Sequence, residues 1–147
     1  MTPAGKTYNG DDYYTPDTPG LQRAVNPEGG QMNCALCTIS ADAALAGRAA
    51  QSLPGADAVI ETSHFAHFVG GTWRSRNGVT GVVGDLKRWG NGSRAAVMGW
   101  RGDREIGHYF NVINGDGRIA FIDAQQGAVA GRLQYWDGFL VMLLENL

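Results

Sequence analysis

The stretch Ile113-Asn114-Gly115-Asp116-Gly117-Arg118 separates two runs of alternating apolar and polar residues, and Asn-Gly and Asp-Gly pairs are the strongest short-range signal for a hairpin. A two-residue loop at Gly115-Asp116 predicts Asn114 opposite Gly117. Counting outward along both strands then sets His108 opposite Asp123 on one face, with Cβ atoms roughly 4.5–5.5 Å apart. Phe110, Val112, Ile119 and Phe121 share that face, and Tyr109, Asn111, Arg118 and Ala120 lie on the other. The pair therefore closes the end of an apolar, core-facing stripe. A carboxylate beside an imidazole fixes its tautomer, raises its basicity and stabilises the imidazolium that forms when it takes a proton. The plainer alternative is a packed core histidine near an aspartate that ends a strand. A one-residue slip in register would put the two side chains on opposite faces.

Working outward, residues 94–100, 106–113, 118–123 and 139–144 are short runs rich in Val, Ile, Phe and Tyr between Gly, Asp and Asn turns, and they predict strands. Upstream, Cys34, Cys37, Thr38, Ala41 and Leu45 recur at helical spacing between an N-cap candidate, Asn33, and a stop at Gly47, which predicts a helix over 34–46. Val79, Val82, Val83, Leu86 and Trp89 predict a second helix ending at Gly90. Residues 57–76 support no firm assignment. Residues 1–30 hold four of the five prolines with Asp, Asn and Gly but no sustained apolar period, and predict an extended arm with few regular elements. Helices followed by an antiparallel sheet make an α+β fold, and 147 residues suit one domain over 1–147.

Composition narrows the function. A net charge of −2 without a Lys/Arg run removes the electrostatic footprint that nucleic acid requires. The longest apolar run, 139–144, is a strand and far too short to span a membrane, so no membrane partner is expected. The start of the chain has neither the basic residues nor the apolar core of a classical signal peptide, so any export is expected to use another route. Two cysteines three apart do not form a disulfide framework; that spacing suits a metal, redox or catalytic site.

Cys34 directly follows Asn33 in the first turn of the predicted helix, where unpaired N–H groups and the helix dipole favour a thiolate. The same amides suit the oxyanion of an attacked carbonyl, with Gln31 and Asn33 as candidate side-chain donors. Cys37, one turn further in, gains less from the dipole and reads as packed. The alternative of another class is a zinc-binding interaction module built from Cys34, Cys37, His64 and His67, although the His pair is spaced more tightly than usual. A redox reading of Cys34-x-x-Cys37 lacks the preceding strand it would need. Asp42, Asp57 and Glu61 read as solvated charges. Trp73, Trp89 and Trp100 read as core residues, one of them a candidate to line a cleft.

Three stretches carry a resemblance: Asn33-Cys34-Ala-Leu-Cys37-Thr-Ile-Ser-Ala-Asp42-Ala-Ala-Leu45-Ala-Gly47-Arg48, then Gly107-His108-Tyr-Phe110-Asn111-Val112, then Phe121-Ile-Asp123-Ala-Gln125-Gln-Gly127. In this order they resemble the papain-like-fold toxin domains of the glutamine deamidase type found in bacterial polymorphic toxins and secreted effectors. The resemblance implies a papain-like fold with a nucleophile-bearing helix packed on an antiparallel sheet. It implies Cys34 as nucleophile, His108 as its base and Asp123 as the third member, with Gln125 as a polar site residue. It further implies deamidation of glutamine in a target protein without a cofactor, delivery into a target cell, and a cognate immunity protein. A papain-like protease or a transglutaminase would use the same three residues and differ in leaving group and acceptor.

Overall fold

The structure is a computed structural model that describes residues 5–8, 13–16, 18–27, 33–48, 60–103, 107–127 and 133–144. The predicted hairpin forms, one residue later than expected. Strand β5 (His108–Gly115) pairs with β6 (Arg118–Ile122) through Gly115 opposite Arg118, so the loop is Asp116-Gly117 rather than Gly115-Asp116. The reason is conformational. A tight hairpin of this kind needs positive φ at both loop positions, and Asp116 at 54° and Gly117 at 86° supply it. Asn91 secures the loop, donating to the Asp116 carboxylate at 2.7 Å and accepting the Asp116 N–H at 2.5 Å. Extended one residue past Ile122, this register sets Asp123 level with Phe110 and diagonal to His108, so moving the loop by one residue preserves the shared face.

β4 (Arg94–Trp100) and β7 (Gly138–Leu144) form as expected, and the complete sheet runs β1-β2-β6-β5-β4-β7-β3. It is mixed rather than purely antiparallel, because β2 (Tyr13–Pro16) runs parallel to β6. Within 1–30, where few regular elements are expected, the described residues form two short strands and a short helix. β1 (Gly5–Tyr8) pairs with β2, and α1 (Pro19–Val25) follows. Pro16, at the end of a strand, and Pro19, at the first helical position, sit where they do no harm. Tyr13, buried edge-on against Phe121 at 5.6 Å, anchors the added strands.

Both faces of the sheet are covered. On one, Val82, Val83 and Leu86 of α4 (Val79–Trp89) pack on Val97, Phe110, Val112, Phe121, Phe139 and Val141. On the other, α2 (Cys34–Leu45) and α3 (Thr62–Val69) cover Ala96, Tyr109 and Met142. The unassigned region thus contributes α3 and the edge strand β3 (Arg74–Arg76); residues 57–59 lie outside the described residues. Phe65 of α3 stacks on Tyr109 at 4.9 Å, and Trp73 closes the cluster. Double coverage explains why β7 reads as continuous apolar sequence instead of alternating.

Helix α2 is buried on its far side too, where Cys37 and Ala41 meet Val25 and Leu21 of α1 and Ala124. Asp42, expected to be solvated, is fully buried and accepts a hydrogen bond from Arg94 Nε at 2.8 Å, which ties α2 to β4. Its helix is enclosed, and the arginine across the gap makes burial of the carboxylate tolerable. On the opposite face Arg76 forks onto the buried Asp85 at 2.7 and 3.0 Å, tying β3 to α4.

The loop position makes opposite predictions for neighbouring glycines. Gly117→Ala, at φ 86°, is expected to lower stability by about 1–2 kcal/mol. Gly115→Ala should be near neutral, since the added Cβ would meet only the Arg118 carbonyl at 3.9 Å. Urea unfolding midpoints of the two variants check the register; the reverse order of cost would restore the earlier loop.

Candidate active site

Two strand ends and one helix start meet at a single corner of the sheet. Cys34 is the first residue of α2, His108 the first of β5, and Asp123 the residue after β6. β6 ends opposite Asn111, so β5 continues past it, and the N–H of Tyr109 donates to Cys34 Sγ at 3.5 Å. Cys34 is partly exposed.

The imidazole is held by the carboxylate. Its Nε2 lies 2.5 Å from Asp123 Oδ2, and Cys34 is near enough to act on its protonation. Burial alone would lower the His108 pKa, but hydrogen bonds to Asp123 and Cys34, together with their charge, push it up to about 9. The histidine therefore carries a proton at neutral pH. The positive end of α2 also opens at this corner.

Asp123 is itself fixed. It is 1 % exposed; Oδ2 faces His108, and Oδ1 accepts the N–H groups of Gln125 at 3.1 Å and Gln126 at 3.2 Å. A turn closed by Gly127 N–H on the Asp123 carbonyl at 2.7 Å carries those donors. The diagonal offset imposed by the hairpin is bridged by this turn, which lets the carboxylate reach back to the histidine.

The other expected site residues are distributed differently. Gln31 and Asp57 lie outside the described residues. Asn33 precedes the helix but its side chain does not cap it. It is fully buried, donating to Asn26 Oδ1 at 3.0 Å and accepting from Gln125 Nε2 at 3.1 Å. Asn33 and Gln125 are thus brought to each other. The uncapped start leaves the N–H groups of Cys34, Ala35 and Leu36 without acceptors inside the helix, since the first intrahelical bond is Cys37 N–H to the Asn33 carbonyl at 3.0 Å. Cys37 is buried, and burial, then the charges of Cys34 and Asp123, push its thiol up to about 12.

The four-residue zinc set does not assemble: His64 and His67 are exposed on α3, and among the described residues no three His, Cys, Asp or Glu side chains are placed to hold a metal. Glu61 is exposed, as expected. Trp73 and Trp89 pack in the two clusters, while Trp100 is 39 % exposed.

Sequence reasoning passed over Trp136. Its ring is nearly parallel to the His108 imidazole, at 13° and 6.4 Å, and lies across Gly99, the residue opposite His108 on β4. A Cβ at Gly99 would sit 2.6 Å from that ring, so the glycine is what admits it. No periodicity in the sequence marks either residue.

A cysteine opening the central helix of an α+β structure, with a histidine and a carboxylate on adjacent strand ends, is the layout of the papain-like fold. The family model described as papain fold toxin 1, glutamine deamidase, matches residues 32–128, and the chain belongs to that family. No curated protein matches the chain.

The raised His108 pKa has a consequence for folding. Stability gained from a group whose value rises on folding is complete below its unfolded value near 6.5, and it disappears as pH climbs through about 9. Urea unfolding midpoints are expected to fall across that window in the parent chain, and His108→Gln should remove most of the slope.

Proposed function

We propose that the protein deamidates glutamine side chains of a target protein, with Cys34 as nucleophile, His108 as acid and base, and Asp123 as the group that orients the histidine. The observation that carries this reading is one corner of the sheet where His108 lies 2.5 Å from Asp123 and the N–H of the next residue, Tyr109, donates to Cys34 Sγ at 3.5 Å. The chain's family, with its deamidase description, supplies the substrate class.

The Cys34 thiolate attacks the carboxamide carbon, and N–H groups of the first turn of α2 donate hydrogen bonds to the developing oxyanion. His108 gives its proton to the departing nitrogen, so that ammonia leaves and a thioester remains. The neutral imidazole then takes a proton from water, which attacks the thioester carbon. Glutamate is released and the sulfur is restored, for a net reaction of glutamine plus water to glutamate plus ammonia. Asn33 and Gln125 act behind the reacting groups, as supports for Cys34 and Asp123. In this reading the chain acts inside a target cell, and a cognate immunity protein blocks it by covering the Cys34 corner.

Asp123 has no adequate substitute. With Oδ1 taking two N–H groups and Oδ2 facing His108, an asparagine must turn its NH₂ toward a donor or toward the protonated ring.

Incubation with a bacterial lysate, followed by ammonia assay and peptide mass spectrometry, tests the proposal. The expected result is conversion of specific glutamines to glutamates, abolished by Cys34→Ala and lowered about 10²–10⁴-fold by Asp123→Asn. Cut or cross-linked chains in place of that conversion would identify a protease or a transglutaminase. Undiminished conversion by Cys34→Ala would remove Cys34 as nucleophile.

A further inference from the structure

Asn26 lies six residues before the family-matched stretch, at the C-terminal end of α1, and it is completely buried. Its amide completes a closed set of three. Asn26 Nδ2 donates to the Gln125 carbonyl at 3.2 Å, Asn33 Nδ2 donates to Asn26 Oδ1 at 3.0 Å, and Gln125 Nε2 donates to Asn33 Oδ1 at 3.1 Å. All three residues are at most 5 % exposed, so each donor depends on the acceptor supplied by another.

Each partner stands one step from a reacting group. Asn33 is followed by Cys34, and its carbonyl starts the hydrogen bonding of α2. The Gln125 N–H is one of the two donors fixing Asp123 Oδ1. α1 also holds the far end of the same turn, where Thr18 Oγ1 donates to the Gly127 carbonyl at 3.2 Å. Gln22 Nε2 in turn donates to the Asn26 carbonyl at 3.2 Å, fixing Asn26 on its own helix.

We infer that Asn26 is a positioning residue of the active site, holding the mouth of α2 and the Asp123 turn at the separation that lets His108 bridge them. It touches neither substrate nor reacting atoms; it acts through Asn33 and Gln125. The inference rests on the reading of Cys34 as the reactive thiol. It also makes the segment 18–27 part of the catalytic apparatus of this chain.

Alkylation of Cys34 by iodoacetamide in the full chain, followed across pH with the modified peptide identified by mass, reads the His108–Cys34 pair without any target protein. Asn26→Ala is expected to slow alkylation at neutral pH about tenfold and to move the rise of the profile to higher pH, with the protein still folded by circular dichroism. Gln125→Ala should do the same, and the double variant should be no worse than either single, because each breaks the same set. Asn26→Asp keeps the acceptor for Asn33 and loses the donor to Gln125, so it should give a smaller shift; it decides the matter if the alanine variant does not fold. A parental profile in folded Asn26 variants, or additive losses in the double, would overturn the inference. Ammonia release is scored separately: a parent chain that releases none, while Cys34 alkylation still depends on Asn26, would refute the deamidase reading and leave this one standing.

Discussion

The carboxylate of Asp123 is the constraint on which the corner depends. Both of its oxygens are engaged inside the protein, one by two backbone N–H groups and the other by an imidazole, and almost none of it reaches solvent. A buried carboxylate is costly unless it is fully hydrogen-bonded, so the turn over 123–127 and the histidine are required by the same charge. Moving either one leaves the other with an unmatched charge.

The second support is the close fit of α2. Eight of its twelve residues are Ala, Cys, Ser or Thr, small enough to let the helix lie against β5 on one side and α1 on the other. Enclosure on both sides leaves no exposed stripe, and the Asp42–Arg94 pair sets how the helix lies on the sheet. Cys34 emerges from this layer only at its end, where the N–H groups of the first turn are uncapped.

Much of this was legible in sequence. The helices over 34–46 and 79–89, the strands β4, β7 and the β5–β6 hairpin, and the shared face of His108 and Asp123 all follow from local periodicity and turn chemistry. What was not legible depends on distance along the chain. β1, β2 and α1 are short and acquire their order from Tyr13 on Phe121 and from Asn26 on Gln125, contacts between residues about a hundred apart in sequence. Asp42 reads as solvated until Arg94 is placed beside it, and Trp136 on Gly99 has no local signature. The expected loop falls one residue early because Gly115-Asp116 and Asp116-Gly117 both carry turn residues, and the distant Asn91 that secures the second is not marked locally.

β3, at the outer edge of the sheet, consists of Arg74-Ser75-Arg76. An edge this short offers an incoming strand few backbone groups to join, and two guanidinium groups would have to lose water for it to do so. Arg76 is already committed to Asp85, so the edge cannot easily be straightened or stripped of its charge. Growth of the sheet from one molecule into the next, the first step of aggregation, is therefore opposed along this border by three residues.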